Sequence, residues 1–220
     1  MEEIDPEILR LAQQLGRAPK AKDIIAAVVK NRLAAEMKSR GFSKKGLEFA
    51  RRRGETAHVV KFELSSWNMG DRGSFTVTVG VMFDDMIRQG GREPTRLPKL
   101  YDLQFGAELA ELAAGAPRSW QVDRYTNVAE MSQALCGFIL EVVSRLDDVQ
   151  TTGDFERTGW VSIPPWGFPP LYAYVMGRLD EAERLVRIQA EFFADRGATY
   201  EGLLDRYDFT LLKERADGDR

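Results

Sequence analysis

Ser74-Phe75-Thr76-Val77-Thr78-Val79-Gly80-Val81-Met82-Phe83 decides the fold. Phe75, Val77, Val79 and Val81 alternate with Thr76, Thr78 and Gly80, and a period of two sorts side chains onto the opposite faces of a strand. The stretch before it, Thr56-Ala57-His58-Val59-Val60-Lys61-Phe62-Glu63-Leu64, sets Val60, Phe62 and Leu64 on one face and Lys61 and Glu63 on the other. Residues 65–73 between them form a polar loop holding Ser65, Trp67, Asn68, Gly70 and Asp71. Two such strands and a short loop read as an antiparallel meander with one polar face.

Working outward, Leu47, Phe49 and Arg51 alternate with Glu48, Ala50 and Arg52, and Gly54-Glu55 turns the chain into the next strand. Tyr101-Asp102-Leu103-Gln104-Phe105 reads as a further strand and Trp120-Gln121-Val122 as a short last one. Residues 84–100 read as irregular because Gly90-Gly91, Pro94 and Pro98 interrupt them, and residues 107–114 fit neither period.

The flanks change period to that of a helix. Over residues 21–40, Ile24, Ile25, Val28, Val29, Leu33 and Met37 form an apolar stripe, which Gly41 ends and Phe42 folds back to cover. Asn127 is placed to cap a second long helix reaching Leu146, with Met131, Leu135, Phe138, Ile139, Val142 and Leu146 inward. Residues 171–176, 179–194 and 201–214 read as C-terminal helices, with Glu183 and Arg187 an exposed pair one turn apart. The expected fold class is α+β: an antiparallel sheet of four to five strands, two long helices on one face and a C-terminal helical extension. The expected divisions are a peripheral helix at 1–18, the α+β domain at 19–150, a Pro-rich connector at 151–170 and helices at 171–220.

Composition narrows the function classes. Across 220 residues the charge is −3 and 44% of residues are apolar, enough for a packed core and not basic enough to mark a nucleic-acid binder overall. One cysteine, Cys136, leaves no intramolecular disulfide, and one histidine, His58, argues against histidine-rich metal sites. The start, Met1-Glu2-Glu3-Ile4-Asp5, lacks the basic and apolar regions of a secretory signal. Residues 158–177 are uncharged, but Pro164, Pro165, Pro169 and Pro170 preclude a continuous spanning helix. A cytoplasmic protein without membrane, metal or cofactor is the expectation.

The run Gly41-Phe42-Ser43-Lys44-Lys45-Gly46-Leu47-Glu48-Phe49 is followed by Val59 to Ser65 and then by Phe75 to Val81. This succession, with Trp120 ahead of the second long helix, resembles the bacterial domain-of-unknown-function family numbered 4304 over residues 21–146. The resemblance implies a fold and no chemistry. Residues 174–183 are similar to the turn and second helix of a single tetratricopeptide unit, which cannot build a solenoid alone.

Three surfaces are candidates for function. Residues 38–53 hold seven basic residues against one acid, and Lys44, Lys45, Arg51, Arg52 and Arg53 form a basic patch suited to phosphates, or simply a solvated strand edge. The polar sheet face with its loop, namely Lys61, Glu63, Ser65, Trp67, Asn68, Asp71, Thr76 and Thr78, is suited to a protein partner with Trp67 as anchor. The acid pairs Asp84-Asp85 and Asp147-Asp148 read as solvated loop acids, and His58 and Cys136 as structural. No catalytic residue is nominated. The leading expectation is a non-catalytic interaction domain, an immunity or antitoxin-like binder of a cognate effector. The alternative is nucleic-acid or nucleotide binding through residues 38–53.

Overall fold

The computed structural model describes residues 4–94, 104–156 and 169–218. Most of the Pro-rich segment around Trp166, and residues 101–103 of the expected fourth strand, lie outside the described residues. The chain runs α1 (Pro6–Leu15), α2 (Ala21–Val28), a π-helical turn (Val29–Leu33), α3 (Ala34–Ser39), β1 (Ser43–Lys45), β2 (Glu48–Arg53), β3 (Thr56–Leu64) and β4 (Gly73–Phe83). There follow α4 (Asp84–Gln89), β5 (Phe105–Glu108), α5 (Leu109–Leu112), β6 (Trp120–Val122), α6 (Val128–Arg145) and α7 (Thr152–Glu156). The tail holds α8 (Pro169–Val175), α9 (Leu179–Phe192), α10 (Tyr200–Arg206) and α11 (Thr210–Gly218).

The sheet is antiparallel in the order β1-β2-β3-β4-β5, with β6 also paired to the start of β4 through Gly73↔Val122 and Phe75↔Trp120. It exceeds the expected four to five strands because β1, three exposed residues, carries no burial signal of its own and exists through pairing Ser43↔Ala50 and Lys45↔Glu48. Residues 84–89, expected to be irregular, are helical: Phe83 ends β4 with extended backbone and α4 starts at the next residue.

Two compact units partition the chain. The first comprises residues 1–52, 58–80 and 107–148. Its core is an aromatic ladder across neighbouring strands: Phe49 to Phe62 at 6.2 Å between ring centres, Phe62 to Phe75 at 5.8 Å, and Phe75 to Trp120 at 6.2 Å. The two long helices expected to cover this face are α2 to α3, made continuous by the π turn, and α6, which packs on that turn and on α2. At the turn Arg32 N donates to the buried Ser132 Oγ of α6 at 3.2 Å, and side-chain insertion of this kind accompanies helix distortion. Gly41, at φ +82°, stops the helix; Phe42 N then donates back to Met37 O at 3.0 Å and Phe42 is buried. Asn127 caps α6 by accepting from Glu130 N at 3.0 Å.

The opposite sheet face is less open than expected. Residues 56–60 and 77–83 are buried on both faces, so in β3 and β4 the half-buried polar positions are Lys61, Glu63, Ser74 and Thr76 near the β3–β4 turn.

The second unit comprises residues 53–57, 81–106 and 149–220. Its core gathers Phe83, Phe105, Phe155 and Tyr172, with Phe105 4.7 Å from Phe155 and 4.6 Å from Tyr172. α8 and α9 pack on each other across the turn at Gly177. The expected helix over 201–214 is two helices, because Asp208 adopts φ +50° and Phe209, fully buried, returns its N–H to Leu204 O. Among the described residues no helix is long and apolar enough to cross a membrane.

Candidate functional site

The β3–β4 turn is built as a second, smaller hairpin. Ser65 N donates to Ser74 O at 3.0 Å, and Asn68 spans the neck, accepting from Ser74 N at 2.7 Å and donating to Ser74 O at 3.1 Å. Met69 and Arg72 exchange both backbone bonds around Gly70-Asp71. Gly70, at φ +56°, supplies the left-handed residue this tight turn requires, and its carbonyl accepts from Ala21 N at 2.8 Å. Asp71 Oδ2 lies 2.5 Å from Arg124 Nε, and that hydrogen bond, outweighing its partial burial, holds the Asp71 carboxyl below the usual carboxylate range. The tip is therefore pinned to helix α2 on one side and to Arg124 on the other.

On this rigid tip Trp67 is 87% exposed and Met69 77% exposed, with Leu64 beside them 40% exposed. A shallow polar hollow of about 460 Å³, lined by Glu63, Ser65, Ser74, Thr76 and Ser119, adjoins the neck. Gly70 and Asp71 also wall an apolar hollow of about 500 Å³ with Ile8, Leu9, Ile24 and Arg124.

Other residues of the expected polar face are placed less favourably. Thr78 is buried, 3% exposed, and donates to Glu63 Oε2 at 2.8 Å, so it supports Glu63 rather than meeting solvent. Lys61 Nζ lies 3.6 Å from Glu63 Oε1, and Thr76 is half-buried. Met69, Leu64 and Arg124 were not among the sequence candidates. Met69 and Leu64 could have been found from their place in the polar loop and at its edge; nothing in the local sequence marks Arg124.

The basic segment is smaller than its composition implied. Lys44, Lys45 and Arg53 are exposed and Arg52 half-buried, but Arg51 is buried. Strand alternation turns Arg51 to the helix-covered face, where its Nε donates to His58 Nδ1 at 3.1 Å and its Nη1 to Arg40 O at 3.2 Å. Asp147 joins both cations, 2.7 Å from Arg51 Nη1 and 2.9 Å from Arg40 Nη1, and so is an ion-pair centre rather than a solvated loop acid. The Arg51 guanidinium also stacks 4.6 Å from the Phe42 ring. His58 is fully buried in this network, accepting through Nδ1.

Asp84 and Asp85 open α4 instead of lying in a loop. Asp84 is buried with Arg88 Nη2 at 3.9 Å. Asp85 accepts from Met86 N at 2.7 Å and Thr152 Oγ1 at 3.0 Å. Cys136 is buried and unpaired, and burial pushes its thiol up, away from the reactive thiolate. Among the described residues no three His, Cys, Asp or Glu side chains are grouped to hold a metal ion.

No curated protein and no solved structure matches the chain. Residues 33–147, from the π turn through the Arg51–Asp147 pair, match the family described as "Domain of unknown function (DUF4304)". That span covers more than half of the chain, and the chain belongs to this family.

Proposed function

We propose that the chain is a non-catalytic bacterial protein–protein interaction domain, an immunity or antitoxin-like binder that docks a cognate effector through the β3–β4 hairpin tip. One observation carries the reading: Trp67 and Met69 stand almost wholly in solvent on a tip whose backbone is fixed by hydrogen bonds on both sides. A large apolar side chain in water is unfavourable by about 1.5–3 kcal/mol relative to burial, and a rigid tip loses little further entropy on docking. Tryptophan is among the residue types enriched at the hot spots of protein interfaces. A cytoplasmic setting belongs to the same reading, supported by a single buried, unpaired cysteine. The nucleic-acid alternative, through Lys44, Lys45, Arg52 and Arg53, has less support because Arg40 and Arg51 face Asp147.

The test is affinity capture from native lysate with the wild-type chain and with Trp67→Ala, followed by calorimetry on the recovered partner. Trp67→Ala is expected to weaken the partner at least tenfold without changing the melting temperature. Equal affinity of the variant for that partner would move the interface elsewhere.

A further inference from the structure

The second unit holds a hollow of about 440 Å³ at the turn between α9 and α10 and along α10. Phe193, Arg196, Thr199, Gly202, Arg206 and Tyr207 are among its walls, and the lining contains two guanidinium groups and no carboxylate. Arg196 lies 5.4 Å from the centre of the Phe193 ring and Arg206 5.5 Å from that of Tyr207. Among the described residues neither cation faces an acid, whereas Arg178, Arg187 and Arg215 of the same unit pair with Glu181, Glu183 and Asp180. The acid next to Arg206 in sequence, Asp205, is engaged with Lys213 Nζ at 3.0 Å. The lining itself therefore carries two positive charges and no negative one.

We infer that this hollow binds a phosphate monoester attached to an aromatic body, the chemistry of a nucleoside monophosphate. A phosphate monoester carries nearly two negative charges and matches two guanidiniums, whose planar forks bond its oxygens in pairs. The rings that stack on the arginines limit their motion and leave an apolar wall with Leu203. Phe193 and Tyr207, the two rings in the lining, offer faces and edges on which a planar base can stack. Gly202 keeps the floor low: a Cβ there would meet Thr199 Oγ1 at 2.9 Å. The volume suits a small ligand rather than a folded partner. This site is independent of the hairpin tip.

The experiment is calorimetric titration of the full chain with adenosine monophosphate, adenosine and inorganic phosphate, repeated on Arg196→Ala/Arg206→Ala. Saturable binding of the nucleotide is expected, at least tenfold tighter than either fragment, and weakened at least tenfold in the double variant with an unchanged melting temperature. The proposal is overturned if the nucleotide does not saturate, if inorganic phosphate binds equally well, or if the double variant binds like wild type. Trp67→Ala, which tests the hairpin tip, should leave this titration unaltered, so the two readings fail separately.

Discussion

Arg51 Nη1 and Asp147 Oδ1 stand 2.7 Å apart, the arginine side chain 1% exposed and the aspartate 35% exposed. The pair ties β2 to the segment directly after α6, and it removes a cation from the basic stretch that composition would place at the surface. The guanidinium is held by an imidazole, a backbone carbonyl, a carboxylate and the face of Phe42, so its role is to join sheet and helix.

Asp147→Asn should destabilise the fold by on the order of 3 kcal/mol, because it removes the carboxylate paired with a buried guanidinium. Arg51→Lys should not restore what Arg51→Ala loses, since an ammonium cannot reach the imidazole, carbonyl and carboxylate in one plane. Urea unfolding midpoints measure both; a midpoint for Asp147→Asn equal to wild type would mean that the pair contributes nothing.

The α6 core gives a ranking. Leu135 and Ile139 are fully buried, whereas Phe138 is half-buried and leans edge-on to Trp120 at 6.2 Å. Leu135→Ala and Ile139→Ala should each cost about 2–5 kcal/mol, and Phe138→Ala less than either. If thermal melts found Phe138→Ala the most damaging, the ring would be carrying more of the core than its exposure implies.

These particular residues show where sequence reasoning reached and where it stopped. Period-two runs at 56–64 and 74–83, the Gly41 stop and the Asn127 cap are local signals set by backbone geometry, and each lies where the spacing puts it. The β1 strand has no such signal, since all three residues are exposed and only pairing defines them. Arg51 shares the period-two face of Leu47 and Phe49, but its charge assigns it to the basic patch, because the acid it faces lies 96 positions further along the chain where local sequence gives no sign of it. Trp67 was legible because its neighbours Ser65, Ser66, Asn68 and Asp71 offer an indole nothing to pack on. The wall of Arg196, Arg206 and two rings was not, since it forms only when the α9–α10 turn folds back.

Asp85 provides a pH signature. Burial pushes its carboxyl above the usual range, hydrogen bonds from Met86 N and Thr152 opposing that and the nearby Glu55 and Asp84 charges adding to it. A carboxyl that keeps its proton to higher pH when folded favours the folded state below its ordinary value of 3.8, and that contribution is lost as pH rises through the folded value. At neutral pH the ionised group is therefore a net cost. Asp85→Asn should raise the melting temperature at about pH 7, and the gain should shrink near pH 4. A gain that grew on acidification would reverse the sign and refute the assignment. Asp71 behaves oppositely: its carboxyl is lowered by Arg124, so the stability it contributes is lost as pH falls.

The hairpin tip separates anchor from scaffold. Trp67 is 87% exposed, so truncating it uncovers no core and should move the melting temperature by less than 1–2 °C, on the order expected for surface substitutions. Gly73 is the opposite case: an added Cβ would fall 2.6 Å from Asn68 Cγ and 2.7 Å from Ala21 Cβ. Those contacts cannot be relieved by rotating a long side chain, because Asn68 is bonded to both backbone groups of Ser74 and Ala21 is the first residue of α2. Gly73→Ala should therefore lower stability by about 1–3 kcal/mol and loosen the tip while leaving Trp67 in place. If the tip works as a preorganised anchor, Trp67→Ala and Gly73→Ala both weaken the partner, the first with an unchanged melt and the second with a lowered one. Amide exchange at Met69 and Arg72 reports the loosening directly, since their paired N–H groups open when the tip does. Were Gly73→Ala to speed that exchange and yet leave partner affinity intact, rigidity would not matter. Trp67 would then bind as a flexible contact.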